Sequence, residues 1–197
     1  MGKSERTRDQ LLAAALELFA SQGYHETTVA QIAARAGVSE MTFFRHFSSK
    51  EESLLADPYD PLIAAAVAQQ PREWDVLRRV VQGVRTAWHA VPEPASAQVR
   101  LRVRIAAETP SLRAAIWRNT EATEQVIVAA LQEDGTDRLA ARAASAAVLA
   151  AITAALLEWA ASDDGELGPM VDRVLALLGS KDDAESATAA RSDNDRS

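Results

Sequence analysis

Glu40, Met41, Phe44 and Arg45 belong to a run of about two helical turns, Glu40-Met41-Thr42-Phe43-Phe44-Arg45-His46-Phe47, in which Phe43 and Phe47 stand four residues apart. A helix that buries those two rings turns its other face outward. Glu40 repels phosphate unless it accepts from a cytosine amine, and as a first-turn acid it equally serves the helix dipole. Phe44 offers a flat ring to a thymine methyl. A few residues on, Lys50 and the free N–H groups of the next helix stand where a phosphate could sit.

The elements that must carry these residues are written into Thr27–Glu52, TTVAQIAARAGVSEMTFFRHFSSKEE. Thr28 is a helix N-cap, and Gln31, three residues later, completes a capping box. Ile32, Ala33 and Ala36 give that helix its apolar face. Gly37 supplies the positive φ of a sharp turn, Val38 plugs the angle, and Ser39 caps the second helix. Ser48 and Ser49, each three residues before Glu51 or Glu52, read as overlapping capping boxes for a third. The layout is a helix-turn-helix.

In this register of caps, turn, aromatics and basic residues, residues 7 to 55 resemble the TetR-type bacterial transcriptional regulators. The resemblance implies that Thr28, Thr42, Phe44, His46 and Lys50 contact DNA, mostly through phosphates, and that Glu40, Met41 and Arg45 read bases. Ser39 and Thr28 are caps first, with any phosphate contact additional. Phe44 departs from the tyrosine common at its position and lacks the hydroxyl that reaches a phosphate. His25, before the capping threonines, reads as simply exposed.

Other chemistries find little support. The chain has no cysteine, which excludes a disulfide, a thiol nucleophile or a thiolate metal site and fits a reducing cytoplasm. His25, His46 and His89 show no ligand spacing, so neither a metal nor a cofactor is expected. Charge argues partly against DNA: residues 1 to 52 hold six Lys or Arg against seven Asp or Glu, and the whole chain carries −7. Lys3, Arg6 and Arg8 crowd the N-terminus, however, and affinity follows where cations sit. A selective binder with a modest grip is expected.

The remaining sequence reads as all-α, with a DNA-binding domain over 1–55, a helical ligand-binding and dimerisation domain over 56–179, and a disordered tail over 180–197. Leu11, Leu12, Ala15 and Phe19 face inward from an amphipathic first helix. Asp57-Pro58 and Asp60-Pro61 mark a break after the reader. Helices follow at about Glu73 to Ala90, through Val99–Ile105, from Thr109-Pro110-Ser111 to about Gln132, and from Asp137 to about Ala161. Val99–Ile105 alternates like a strand, but no second strand-like run exists to pair with it. Between Ala143 and Leu157 only Ser145 and Thr153 are polar. Those fifteen residues are short for a membrane span and are expected to pack on two sides, one against a second subunit. Leu167, Met170, Val171, Val174, Leu175 and Leu178 form a last helix before Gly179 that could complete a four-helix dimer interface.

Trp74, Trp88, Trp117 and Trp159 are either core or the lining of an apolar pocket. Arg100, Arg102 and Arg104 cannot all face solvent if their apolar neighbours are buried. Arg102 and Arg104 are candidates to hold an anionic ligand group, against salt bridges to Glu108, Glu121 or Glu124. The run Leu101–Arg113 is similar to a TetR subgroup whose C-terminal domain binds acyl-CoA-like molecules. The expected function is a homodimeric regulator of double-stranded DNA, a repressor released from a palindromic operator by a small hydrophobic effector, with no membrane partner. A constitutive DNA binder and an all-helical enzyme are the alternatives.

Overall fold

A computed structural model describes residues 2–55, 60–90, 96–162 and 165–179 of the chain. All regular structure among these residues is helical, as expected: α1 Lys3–Gln22, α2 Val29–Arg35, α3 Glu40–His46, α4 Lys50–Leu55, α5 Asp60–Ala68, α6 Val76–His89, α7 Ser96–Glu108, α8 Pro110–Gln132 and α9 Arg138–Ala161. A tenth, α10, spans 167–179. The strand-like alternation of Val99–Ile105 lies inside α7, a helix. The expected break at Asp57-Pro58, the prolines Pro92 and Pro94, and the tail after Gly179 fall outside the described residues.

The chain divides into two compact units, one of Met1–Asp57 with Pro94–Asn119 and the other of Pro58–Glu93 with Thr120–Ser197. The first gathers α1 to α4, α7 and the start of α8 around Leu11, Ala15, Phe19, Ile32, Phe43, Phe47, Leu54 and Leu112, all buried. Phe43 and Phe47 pack with ring centroids 5.6 Å apart. Each buried ring of that size contributes about 1.5–3 kcal/mol, so the α3 spacing alone pins that helix to its unit.

The second unit is built on α6. Asp75 caps it by accepting from the Arg78 amide at 3.0 Å, so the helix starts at Val76 rather than near Glu73 and Trp74 stays in the preceding turn. An aspartate cap ends the competition locally, because its carboxylate satisfies an amide that a longer helix would satisfy itself. Arg79, Val80, Val81, Gly83, Val84 and Ala87 are buried. Gly83 is where α5 crosses: a Cβ there would lie 2.4 Å from Val67 Cγ2 and 2.6 Å from Val67 Cα. Only glycine lets the two backbones approach so closely.

Asp137 caps α9 through the Ala140 amide at 3.0 Å. With 24 residues, α9 is long and apolar enough to cross a membrane, so the shortness of its apolar stretch does not by itself exclude a span. Its Ala141, Ala144, Ser145, Val148, Leu149, Trp159 and Ala160 are buried within the protein, and the Ser145 hydroxyl donates to the Ala141 carbonyl at 2.8 Å. Leu139, Ala143, Ala147, Ala150 and Ala154 form an exposed stripe along the same helix.

Candidate nucleic-acid interface

The helix-turn-helix forms from local signals. Thr28 Oγ1 accepts from the Gln31 amide at 3.2 Å, and Gln31 Oε1 accepts from the Thr28 amide at 2.8 Å, completing the capping box. The Thr28 hydroxyl also lies 3.2 Å from Gln31 Oε1, so its own proton is engaged there. Gly37 takes φ +70° in the turn, and the Val38 amide returns to the Ala33 carbonyl at 2.9 Å. Ser39 Oγ accepts from the Thr42 amide at 3.2 Å and lies 3.0 Å from Thr42 Oγ1.

With Phe43 and Phe47 inward, α3 leaves Glu40, Met41, Phe44 and Arg45 exposed and Thr42 and His46 half-buried. Met41 is 74% and Phe44 53% exposed, two large apolar side chains bare on one short helix. Phe44 is held edge-on to Phe43 at 5.5 Å, which orients it without covering it. Arg45 makes no ion pair among the described residues. The face joins an acid, a thioether, a ring and a cation on one rigid helix, a set that can read base edges and methyl groups in a major groove.

Around the start of α4 the two overlapping capping boxes expected there are replaced by one set of contacts that uses Glu52 alone. Ser49 Oγ accepts from the Glu52 amide at 3.0 Å, while the Glu52 carboxylate reaches Ser48, taking its amide at 2.6 Å and its hydroxyl at 2.5 Å. Glu51 is left for Arg118, 2.8 Å away. Lys50 is turned inward. Its ammonium donates to the Tyr24 carbonyl at 2.6 Å and the Thr27 carbonyl at 2.8 Å and sits 4.1 Å from the centre of the Tyr24 ring. Burial pushes its pKa below the ordinary lysine value, with Glu26 pulling the other way. Sequence reasoning missed these partners because carbonyl acceptors have no residue-type signature.

The candidate effector residues are divided between the units. Arg102, Arg104 and Trp117 belong to the first, and Trp74, Trp88 and Trp159 to the second. Arg102 grips the C-terminal end of α4, its Nε and one terminal nitrogen donating to the Leu54 carbonyl at 3.0 and 2.8 Å. Trp117 is 58% exposed. Trp159 is buried and donates its indole N–H to the Gly165 carbonyl at 3.1 Å. Trp74 and Trp88 are half-buried, with the Arg78 guanidinium stacked 4.3 Å over Trp74. Glu124, an expected partner for the α7 arginines, pairs with Arg142 at 2.9 Å.

A charged group that the sequence did not single out lies in the second unit. Arg79, buried on α6, pairs with Asp134 and donates to Thr136 Oγ1 at 3.2 Å. The Thr136 hydroxyl donates to Asp134 at 2.6 Å. The Arg79 and Thr136 hydrogen bonds hold the Asp134 carboxyl at a pKa of about 2. Its only sequence signal is an arginine within the apolar periodicity of Leu77 to Val84.

Residues 11–56 match the family of bacterial regulatory proteins of the tetR type, and residues 74–182, more than half of the chain, match the MftR C-terminal domain. The transcriptional regulator TcmR of Streptomyces glaucescens is 38% identical over 129 residues, 62% of this chain and 57% of that protein. The transcriptional activator FasR of Mycolicibacterium smegmatis is 50% identical over 52 residues, 26% of this chain and 24% of that one. The matched parts thus span less than two thirds of either relative. In fold, the chain is similar to FadR of Bacillus subtilis, solved in complex with stearoyl-CoA, with TM-score 0.50 and 20% identity over 86% of this chain and 96% of that one. With its N-terminal reader and its C-terminal half both matched, the chain belongs to the TetR family of bacterial transcriptional regulators.

Proposed function

We propose that the protein works as a homodimer on a palindromic double-stranded operator in the cytoplasm, as a repressor released by a small hydrophobic effector. The observation that carries this reading is the bare outer face of α3, where Glu40, Met41, Phe44 and Arg45 project from a helix whose other side is locked by Phe43 and Phe47. Met41, Arg45 and Glu40 read bases. Thr28, Ser39, Thr42, Phe44 and His46 lie against the backbone, and Thr28 must release its proton from Gln31 to donate to a phosphate. The exposed stripe of Leu139, Ala143, Ala147, Ala150 and Ala154 on α9, with Leu177 exposed on α10, supports a second copy as its cover.

An acyl chain carried by an anionic group, as in the stearoyl-CoA bound by the Bacillus subtilis relative in fold, is the effector class we favour. Within the second unit Trp74, Trp88 and Trp159 are the apolar candidates for it; Trp117 and Arg104 belong to the first unit, where Arg102 is held by the Leu54 carbonyl. Selection from a random duplex-DNA pool tests the reading directly. Enrichment of a palindrome, changed in preference by Met41→Ala or Arg45→Ala and released by an acyl-CoA, is the expected result. A palindrome that no acyl-CoA or fatty acid releases favours the constitutive binder, and absence of any enrichment by folded protein ends the DNA reading.

A further inference from the structure

Lys50 opens α4 at the edge of the reading surface, yet its charge faces into the protein. Two of its three donors are taken by the carbonyls of Tyr24 and Thr27, and the Tyr24 ring lies beside the ammonium at cation–π distance. Those two carbonyls belong to the turn that joins α1 to α2. Within the turn the Thr27 hydroxyl donates to the Gly23 carbonyl at 2.8 Å, and from the end of α1 Gln22 Nε2 donates to the Glu26 carbonyl at 3.2 Å and to Gln31 Oε1 of α2 at 3.1 Å. Thr27 is buried and immediately precedes Thr28, the cap of α2.

From this geometry we infer that Lys50 is a positioning residue for DNA reading: it ties the start of α4 to the Tyr24–Thr27 turn, fixes where α2 begins, and so sets the seat of α3, instead of neutralising a phosphate. Two of the ammonium's three donors, at 2.6 and 2.8 Å, are committed to carbonyls within the protein, and a phosphate could engage only the third unless the ammonium left them. A point donor suits this task because one nitrogen serves two oxygens and a ring. The planar guanidinium of arginine cannot place a single nitrogen in the same way, although it binds phosphate at least as well.

The inference rests on the DNA-binding reading, and the test separates the two. Affinity for the duplex enriched by the wild-type protein is measured over a salt series for wild type, Lys50→Met and Lys50→Arg. Both variants are expected to bind roughly tenfold more weakly with the salt slope unchanged. Thr28→Val should weaken the wild type but add little to Lys50→Met, because the turn that places Thr28 is already loose. Without DNA, amides of residues 24–28 should exchange faster in Lys50→Met. The opposite result, a slope shallower by about 0.9 in Lys50→Met with affinity and slope both restored in Lys50→Arg, would make Lys50 a phosphate contact and overturn the inference. Should Lys50→Met fold poorly, Lys50→Arg alone decides, since it keeps the charge. A wild-type protein that enriches no duplex would instead end the DNA reading.

Discussion

Lys50 in the first unit and Arg79 in the second are both cations drawn inward to hold a distant loop, but they are answered differently. Lys50 meets two backbone carbonyls and an aromatic face, and Arg102 in the same unit likewise donates twice to the Leu54 carbonyl. Arg79 meets a full carboxylate, itself tied to Thr136 in the loop between α8 and α9. Carbonyl oxygens offer only partial charge, so each such contact is weaker than a pair of full charges. A buried ion pair offers full charge, and either partner alone is expensive. The contrast separates the two units: the reader is held in part by several contacts of partial charge, the second unit in part by one pair of full charges.

The largest effect is therefore expected from Asp134→Ala, which strands the Arg79 guanidinium and should cost about 3–5 kcal/mol in chemical denaturation. The pair Arg79→Met with Asp134→Leu should recover most of that loss. A single substitution costing less than about 1 kcal/mol, the range of an exposed pair, would show that water reaches the site and erase the distinction between the units. Next in size, Arg102→Met should cost about 1.5–3 kcal/mol, since it removes a charged donor from the end of α4. Hydrogen exchange should then quicken in α4 and leave α6 and α9 as they were. Equal acceleration in α6 would mean that the carbonyl contacts are not local.

Acid gives the smallest effect and the most selective one. Asp134 has a folded pKa of about 2, below its ordinary 3.8. Its contribution to stability is fully present above the unfolded value and is lost as pH falls through the folded one, so the window runs from about pH 4 down to pH 2. The Lys50 ammonium keeps its charge throughout that range. Fluorescence of Trp159, buried in the second unit, should report the loss, and Asp134→Asn should remove that part of the pH dependence. A wild-type acid profile identical to that of Asp134→Asn would show that the pair contributes nothing.

What could be read from the sequence was whatever depends on near neighbours. The Thr28–Gln31 box, the Ser39 and Asp137 caps, the Gly37 turn and the Phe43–Phe47 face each involve residues within four positions, and the structure has them all. Val99–Ile105 is legible as helix only because the sequence holds no second strand-like run to pair with it. The apolar spacing of Trp74 points into α6, although Asp75, one residue later, is the cap at which that helix begins. Lys50 meets its acceptors 23 and 26 residues away and Arg79 meets Asp134 across 55, so no local pattern shows either pair. For the same reason Arg102, a candidate for an effector's anion, proved to hold the end of α4.

Met41 and Phe44, bare on the outer face of α3, also bear on how binding would respond to heat. A duplex that covers a thioether and an aromatic ring removes apolar surface from water, and that removal carries a negative heat-capacity change. The enthalpy of association would then become steadily more favourable on warming while its entropy became less so. Calorimetry over a range of temperatures would see this curvature, and polar or alanine side chains at the two positions would flatten it.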